Sequence, residues 1–453
     1  MKFHKTLTHL LISTVLLALG LATYLFLNSH QQVIAQEVTT SATESKILVA
    51  LAQDVPTWLD DKLFTLDPDG TNLTPIFDFS GQPKLSTGRI LGLRVSSDGR
   101  YIHFHSTHAF IYTPARRNLF RLDGLGTTLE QVTPGPHSGD FSQTGNSTVS
   151  GVVQTGGGAA YIGTSVYLEG MGTINTDGAG SFTFTNVPAG VRWLVAYNTT
   201  LDVFEARAIN VVTNLNTTGL ILVPNTSSRM NFERPVPYGN RIYHIGNSGL
   251  DIDWTDVDFA GPTTTYTSPG DACTGIPTVD AFDVSSSGKI VVYDYQTGCG
   301  GGNFNHVGLY TMNNDGSNKQ ILLNMLSDPD WDSPILPVEI FWSPDETKIA
   351  VKAGYANFDR LLVYDTNGTL LSFGTANTAT EVVTLYGWSP DGTALLFSEY
   401  DGDPSQAKLR TIVVNGDGTL GADTTLLNNQ PISGATWGNL LVKQNVYLPL
   451  VIR

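Results

Sequence analysis

Charged side chains are scarce in this 453-residue sequence. They make up 15 % of the chain, and the 41 acidic residues outnumber the 25 basic ones, which gives a formal net charge of −16. An average soluble domain carries about 25 % charged residues. A nucleic-acid partner is excluded, because binding its phosphates requires clustered Lys and Arg. The acidity favours solubility, with cation binding as the alternative.

Cysteine is almost absent, with Cys273 and Cys299 as the two examples. Two thiols cannot supply a disulfide framework and make a poor metal site. In an oxidising compartment they would form one disulfide, closing a Gly-rich segment of about 25 residues and contributing about 3 kcal/mol. Two free thiols are the alternative.

Catalytic signatures are also missing. The sequence has no Gly-x-Ser-x-Gly elbow, no His-Glu-x-x-His, no P-loop and no dinucleotide fingerprint. These absences exclude the hydrolase, metalloprotease and nucleotide-binding classes that the signatures define. We therefore expect no catalytic residues and no cofactor, with calcium as the one candidate ion.

The amino terminus has the pattern of an export signal. Lys2 and Lys5 precede the uncharged stretch Leu10–Leu27, and Val33-Ile34-Ala35 offers a plausible cleavage point. This pattern predicts a signal peptide over residues 1–35, with an uncleaved membrane anchor as the alternative and the one expected membrane contact. Either reading places the rest of the chain outside the cytoplasm, as a secreted, periplasmic or surface protein.

A repeated turn organises most of the sequence. The stretches Phe341–Val351 and Gly387–Phe397 align with each other, and weaker copies lie at Val95–Ile102 and Val284–Val291. Each predicts a strand, a tight turn and a second strand. Three of the five intervals between turn positions are 46 residues, and the interval from Gly288 to Glu346 is 58. The turn positions are Gly99, Gly145, Gly288, Glu346, Gly392 and Gly438. The long gap after Gly145 closes if the chain leaves the repeat there and rejoins it at Gly239.

A second hairpin lies between these turns, as in Leu63–Leu73 and Leu309–Lys319, where apolar and polar residues alternate around Asp-Gly. Two hairpins per repeat make four strands, the size of one propeller blade. The sequence thus predicts an all-β chain with a six-bladed β-propeller over residues 46–142 and 229–443. We expect the Leu63 hairpin and the turn at Gly438 to build the closing blade together. Seven blades result if Lys46–Gln53 adds strands that this count omits.

The excursion over residues 147–224 has a different pattern. Its Thr176–Gly190 segment alternates Phe182, Phe184 and Val187 on one face, between Asp-Gly and Pro-Ala-Gly turns. About six short strands in this length predict a small β-sandwich with its own core. Residues 444–453 form a tail that serves attachment or docks as a strand.

Both parts resemble known families. The Trp-Ser-Pro-Asp-Gly turns at Trp342 and Trp388 resemble those of TolB-like propellers, a WD40-like (PD40) group; Pro is missing after Ser97 and Ser286, and Glu346 replaces Gly. The Thr176–Gly190 run resembles the carboxypeptidase regulatory-like domain, a transthyretin-like sandwich. The first resemblance implies a six-bladed fold, and the second implies a module that accompanies other domains without performing chemistry.

The cluster His103, His105 and His108 holds the candidate metal ligands. On a strand, His103 and His105 point to the same side, as metal ligands could. The interpretation we prefer is a solvated polar face, with Tyr101 and Phe104 directed inward.

Two acidic runs are candidate calcium ligands, Asp251–Asp258 and Asp401–Asp403. The alternative is that the alternating carboxylates mark the solvated side of a strand. Trp342, Trp388 and Trp437 precede equivalent turns, and we expect them to pack between blades instead of stacking on sugars.

These features favour an extracellular or envelope protein that binds a protein or glycan partner without catalysis. The alternative is a polysaccharide lyase or glycosidase acting in the central funnel, and a purely structural surface component is a third reading. Catalysis requires convergent ionisable groups on the innermost strands. Segments such as Ala281-Phe282 and Ile340–Trp342 are apolar, which favours binding.

Overall fold

The computed structural model describes most of the chain beyond residue 32. The described residues are 33–53, 61–79, 88–108, 118–132, 145–198, 200–201, 203–224, 233–246, 251–256, 263–268, 277–297, 304–324, 336–355, 358–375 and 381–451. Residues 43–441 form one compact unit, and residues 1–42 with 442–453 form a second. The described part of the second unit, 33–42 and 442–451, is extended strand.

Strands account for nearly all regular structure in the described ranges. The first fourteen are β1 Val33–Leu51, β2 Lys62–Leu66, β3 Thr74–Asp78, β4 Ile90–Val95, β5 Tyr101–Ser106, β6 Asn118–Asp123, β7 Leu129–Gln131, β8 Ser147–Val153, β9 Ser165–Leu168, β10 Gly172–Asn175, β11 Ser181–Val187, β12 Gly190–Asn198, β13 Val203–Val211 and β14 Thr217–Leu222. The others are β15 Glu233–Tyr238, β16 Arg241–Gly246, β17 Asp251–Asp256, β18 Thr263–Thr267, β19 Pro277–Val284, β20 Lys289–Thr297, β21 Phe304–Asn313, β22 Gln320–Asn324, β23 Leu336–Trp342, β24 Lys348–Tyr355, β25 Phe358–Asp365, β26 Leu370–Thr375, β27 Glu381–Trp388, β28 Ala394–Asp401, β29 Ala407–Val414, β30 Leu420–Gln430 and β31 Ile432–Val451. One 3₁₀ turn lies at Pro404–Gln406.

Six sheets of four strands repeat along the described chain. Sheet 1 has the order β31-β1-β2-β3, sheet 2 is β4 to β7, sheet 3 is β15 to β18, sheet 4 is β19 to β22, sheet 5 is β23 to β26, and sheet 6 is β27 to β30. In sheets 2 to 6 each strand pairs antiparallel with the next along the sequence. Tight turns permit this meander, since an antiparallel pair needs only a short connection.

Neighbouring sheets share apolar cores, and the sixth packs against the first. Leu48 of sheet 1 meets Phe104 of sheet 2, while Leu409 of sheet 6 meets Val49 of sheet 1. Clusters of the same kind join sheets 2 and 3, 3 and 4, 4 and 5, and 5 and 6. Every sheet is thus covered on both faces, and the predicted all-β propeller is confirmed.

Ring closure differs from the prediction of two strands from each chain end. Sheet 1 takes one strand, β31, from the C-terminal region and three from the N-terminal region. Gly438 lies inside β31 instead of in a turn, and Lys46–Gln53 supplies part of β1 within sheet 1. The Ala52 N–H donates to the Pro431 carbonyl at 3.0 Å. The blade number itself stays a prediction, because some residues lie outside the described ranges.

Most predicted turns lie where the sequence placed them. Gly99, Gly288 and Gly392 occupy tight turns with positive φ angles of 72°, 86° and 72°. Glu346 takes the same left-handed conformation at φ 57°. The turn predicted at Gly145 is wrong, because this residue lies in the segment that leads into β8 and its N–H donates to the Asn186 carbonyl at 3.1 Å.

Residues of the excursion form two sheets with one core. One sheet has the order β10-β9-β12-β13 and the other β11-β8-β14, in which β14 runs parallel to β8. Phe182, Phe184 and Val187 are buried between the sheets, as predicted, against Val166 and Leu194 of the facing sheet. These contacts place the two sheets around one shared core. The limits of the domain and its carboxypeptidase regulatory-like assignment stay predictions.

Two of the three tryptophans, Trp342 and Trp388, precede turns as expected, whereas Trp437 lies within β31; all three contribute to packing. Trp388 of sheet 6 is buried and donates its Nε1–H to the Phe341 carbonyl of sheet 5 at 3.1 Å. Trp342 lies in the core between sheets 4 and 5. Trp437 is partly buried and donates to Ser45 Oγ at 3.0 Å. These contacts support the packing interpretation over sugar stacking.

Candidate functional site

One cavity of about 220 Å³ lies where the first strands of all six sheets converge. Each of β4, β15, β19, β23, β27 and β31 is an edge strand of its sheet, and each contributes lining residues. The cavity is therefore the central channel of the ring. Its lining is mixed and includes Arg94, His105, Arg234, Glu339 and Tyr386.

A bulge interrupts the first strand of five sheets. The register shifts between Leu91 and Arg94 in β4, between Glu233 and Val236 in β15, and at corresponding places in β19, β23 and β27. A bulge bends a strand and changes the direction of its side chains. Gly92 is required in β4, since its φ is 61° and an added Cβ would lie 2.8 Å from His105 Nδ1.

Arg94 crosses the channel. Its guanidinium carbon, which belongs to sheet 2, lies 4.3 Å from the centroid of the Phe341 ring of sheet 5. Nη1 donates to the Leu93 carbonyl at 3.2 Å. Burial lowers the pKa of Arg94. The charge of nearby Asp283 opposes this lowering, and the charge of nearby Arg234 adds to it. The guanidinium stays charged at neutral pH because its ordinary pKa is so high.

Arg234 supplies a second guanidinium to the lining. Its backbone is left-handed, with φ 55°, and its N–H donates to His105 Nδ1 at 3.1 Å. Within the described residues, neither Arg94 nor Arg234 has a carboxylate oxygen within the 4.0 Å of an ion pair. The channel therefore contains two cationic groups that the described part of the chain leaves without close counter-ions.

Two carboxyl groups stand near these arginines. Burial raises the pKa of Asp283 to about 6, while Arg94 and the Trp342 N–H oppose the rise; that N–H donates to Asp283 Oδ2 at 2.8 Å. Burial also raises the pKa of Glu339, which Arg234 and Lys352 oppose. A carboxyl group whose pKa is raised by burial is a candidate for ligand binding or proton transfer.

The solvated-face interpretation of the histidine cluster is wrong. His103, His105 and His108 are 3 %, 4 % and 0 % exposed, because β5 is covered on both faces, whereas Tyr101 is exposed. Phe104 is buried, as predicted.

The three histidines have separate surroundings. Burial lowers the pKa of His103 to about 3, and nearby Arg121 adds to this. His105 faces the channel, and His108 stacks on Phe79 at 3.8 Å. No metal-binding group of three or more His, Cys, Asp or Glu side chains occurs among the residues that the structure describes.

Among the described residues of the two acidic runs, Asp251 and Asp253 contradict the expected solvated positions, whereas Asp401 and Asp403 agree with them. Asp251 and Asp253 are 7 % and 8 % exposed, and burial raises the pKa of Asp253. Asp401 and Asp403 are exposed, and Asp403 Oδ1 accepts from the Ser405 N–H at 2.9 Å as the cap of the 3₁₀ turn. Calcium binding at either run stays a prediction.

Sequence reasoning missed the charges of the channel. It identified Phe282, Ile340 and Phe341 as apolar positions on innermost strands, and all three line the channel. It overlooked Arg94 and Arg234. A usable signal was present: in a chain with few basic residues, Arg94 lies two residues before the recognised turn at Ser96–Gly99.

Two predicted features lie outside the described residues. They are the amino-terminal segment 1–32 and the pair Cys273 and Cys299. Among the residues that are described, no helix has the length and apolar character needed to cross a membrane. Export and the disulfide therefore stay predictions.

No protein-family model and no curated protein sequence matches the chain. Solved structures similar to it include a nidogen–laminin complex, with 8 % identity, a TM-score of 0.43, and coverage of 87 % of this chain and 98 % of that one. TolB from Acinetobacter baumannii has 11 % identity, a TM-score of 0.45, and coverage of 87 % and 66 %. An oligogalacturonate lyase from Vibrio parahaemolyticus has 9 % identity, a TM-score of 0.35, and coverage of 88 % and 74 %. TolB, whose turns the sequence resembles, is thus among the similar structures, while the propeller fold itself rests on this chain's own sheets.

Proposed function

We propose that this chain is an exported recognition protein that binds a protein or glycan partner at the central channel of its propeller, without catalysis. The observation that carries the proposal is the convergence of six edge strands on one cavity with mixed polar and apolar lining. Concave sites of this composition are the usual places for ligands, because apolar walls supply affinity and a few polar groups supply orientation.

Rigidity supports this reading. Shared apolar cores fix every sheet against two neighbours, so the lining side chains are held in place before a ligand arrives. Preorganisation of this kind reduces the entropic cost of binding. The ionisable lining residues Arg94, Arg234 and Glu339 also favour a defined ligand over nonspecific adhesion.

A binding array tests the proposal. The mature chain is applied to an array of peptides and oligosaccharides of acidic, neutral and basic character, beside the channel-filling variant Thr384→Trp. Its matched control is Thr424→Trp, which adds the same bulk on the exposed outer strand β30. We expect ligands that bind the wild type and the control but lose at least about tenfold in affinity with Thr384→Trp. Ligands that bind all three proteins equally would place recognition outside the channel.

Catalysis in the channel is the second candidate, as a polysaccharide lyase or glycosidase. Burial raises the pKa of both Glu339 and Asp283, and this favours catalysis because a raised pKa stabilises the protonated form that a general acid requires. Its test is turnover of acidic and neutral polysaccharides by the wild type and by Glu339→Gln. If the wild type turns over a polysaccharide and Glu339→Gln does not, while both proteins have the same unfolding transition, catalysis takes the place of the binding proposal.

Export is the remaining part of the proposal. Lys2, Lys5 and the uncharged stretch Leu10–Leu27 support it. Mass spectrometry of the protein recovered from its native compartment tests cleavage. A mature terminus near Ala35 is expected, and an intact Met1 would indicate an anchor instead.

A further inference from the structure

The two channel arginines are close enough to influence each other. The charge of Arg234 acts on Arg94, and both line the same cavity of about 220 Å³. Two cations near each other in a partly desolvated site repel, and each has lost part of its hydration. The neighbouring carboxyl groups offset this only in part, because neither lies within 4.0 Å of a guanidinium in the described part of the chain.

An anion placed between the guanidinium groups would remove this imbalance. Guanidinium is suited to the role because its planar donors match a carboxylate with two parallel hydrogen bonds. Arg94 is also held in position: its stack on Phe341 and its bond to Leu93 restrict the rotamers that a ligand would otherwise have to fix. The chain as a whole is acidic, with a net charge of −16. The two channel arginines therefore form a cationic site within an acidic protein.

The lining favours a peptide carboxylate over a sugar acid. Three channel residues carry neutral hydroxyl groups, and two of these are already engaged: Tyr386 bonds to Ser398 Oγ at 2.9 Å, and Ser433 donates to Asp61 at 2.6 Å. Thr384 remains. A sugar acid carries a hydroxyl on almost every carbon, and burying unpaired hydroxyls is costly. An Asp or Glu side chain carries one polar group on an apolar stem, which matches the leucine and phenylalanine side chains of the walls.

The size of the cavity agrees with this choice. A volume of about 220 Å³ is below the range of roughly 300–1,000 Å³ that is usual for sites of drug-sized molecules. One side chain of a larger partner fits such a space, with the remainder of the partner outside the channel. The edge strands that face the channel add backbone donors and acceptors of the kind that hold extended peptides.

We infer that the channel binds an acidic side chain of a peptide segment, with Arg94 and Arg234 as the residues that hold its carboxylate. This inference rests on the proposed function, of which it specifies the ligand chemistry. It makes recognition depend on one negative charge at one position of the partner.

Peptide selection tests the inference. A random heptapeptide library is selected on the wild type, on Arg94→Gln and on the double variant with Arg234→Gln, with Arg100→Gln as the control at an exposed arginine. The leading peptide and its amide counterpart, in which Asp is replaced by Asn or Glu by Gln, are then titrated by calorimetry. The titrations use the four proteins of the selection and also Arg94→Lys. Arg94→Lys, which keeps the charge and loses the planar fork, is the conservative variant, and urea unfolding checks that every variant is folded.

For the wild type and for Arg100→Gln, we expect selection of Asp or Glu at one position and a preference of about tenfold or more over the amide peptide. Arg94→Gln should reduce this preference to about twofold, and the double variant should abolish it. Arg94→Lys should retain an intermediate preference. A preference that survives in the double variant overturns the inference, as does a wild type that selects no acidic residue.

A hexagalacturonate probe separates the two ligand classes. If it binds in an Arg94-dependent manner while acidic peptides do not, the channel takes a sugar acid and the peptide inference fails. If ligands bind at a site that Thr384→Trp blocks but show no preference for acids, the inference fails and the proposed function stands. If no ligand of either class is blocked by Thr384→Trp, the proposed function itself fails.

Discussion

Replacing Glu346 by alanine should destabilise the propeller by about 2 kcal/mol, although the residue lies in a surface turn. Its carboxylate joins sheet 5 to the adjacent turn of sheet 4: Oε1 accepts from the Ser287 N–H and from Ser286 Oγ, and Oε2 accepts from Ser287 Oγ, each at 2.6 Å. A hydrogen bond to a charged group is worth about 1.5–3 kcal/mol when buried. Partial exposure reduces the sum of the three to about 2 kcal/mol.

Backbone strain makes the glycine variant informative. Glu346 has a φ of 57°, where a side chain costs about 1 kcal/mol relative to glycine. Glu346→Ala loses the hydrogen bonds and keeps the backbone strain. Glu346→Gly also loses the hydrogen bonds, but it relieves the strain. We therefore expect Glu346→Gly to be the more stable of the two variants by up to about 1 kcal/mol, which reverses the usual order of alanine and glycine. Gly392→Ala measures the strain alone, since its φ is 72° and the added Cβ would make only an ordinary 3.5 Å contact with Pro344.

Urea unfolding followed by tryptophan fluorescence gives these differences. The pH dependence adds a check on the cause: burial raises the pKa of Glu346, but its hydrogen bonds with Ser286 and Ser287 lower it by more. A lowered folded-state pKa means a contribution that is present above the unfolded value near 4.5 and is lost as the pH falls through the folded value. The gap between wild type and Glu346→Ala should close in acid. Equal stability of the two at pH 7 would refute the reasoning.

Further predictions concern buried histidines, the ring closure and the cysteines. Burial holds the pKa of His103 and His244 at about 3, so unfolded chains take up more protons below about pH 6.5; stability should fall by about 2 kcal/mol per histidine at pH 5, and a urea midpoint that is unchanged from pH 7 would contradict this. Asp61→Ala should cost about 3 kcal/mol in urea unfolding, because the buried carboxylate accepts from Ile90 and Ser433 across the closure; a loss below about 0.5 kcal/mol would contradict this role. Non-reducing peptide mapping should recover Cys273 and Cys299 in one linked species, and two free thiols would exclude the disulfide.

Local chemistry made the sheets of the propeller readable from sequence. A Ser-Pro-Asp-Gly or Asp-Gly segment fixes its own turn, because the Asp side chain bonds the backbone two residues later, as Asp391 does with the Thr393 N–H at 3.1 Å. Such signals need no information from distant residues. The turn predicted at Gly438 was wrong because this glycine, although it lies at the expected interval, is part of a continuous strand and lies close to Val95 of sheet 2.

The channel could not be read in the same way, because its composition depends on contacts between distant residues. Alternation assigns Arg94 to a face only if the strand is regular, and the bulge after Leu91 breaks that register. The histidines were misplaced for a related reason: a polar residue on a strand indicates solvent only when one face is open. In a ring of sheets covered on both faces, His103 is buried whichever way it points.

The closure of sheet 1 has a consequence for biogenesis. Strands β1 to β3 leave the ribosome before the strands of sheets 2 to 6, yet the strand that completes their sheet begins only at Ile432. Throughout synthesis the early strands therefore present an unpaired edge, the feature that invites association between chains. Sheet 1 can therefore be completed only after the strands of all the other described sheets have been synthesised.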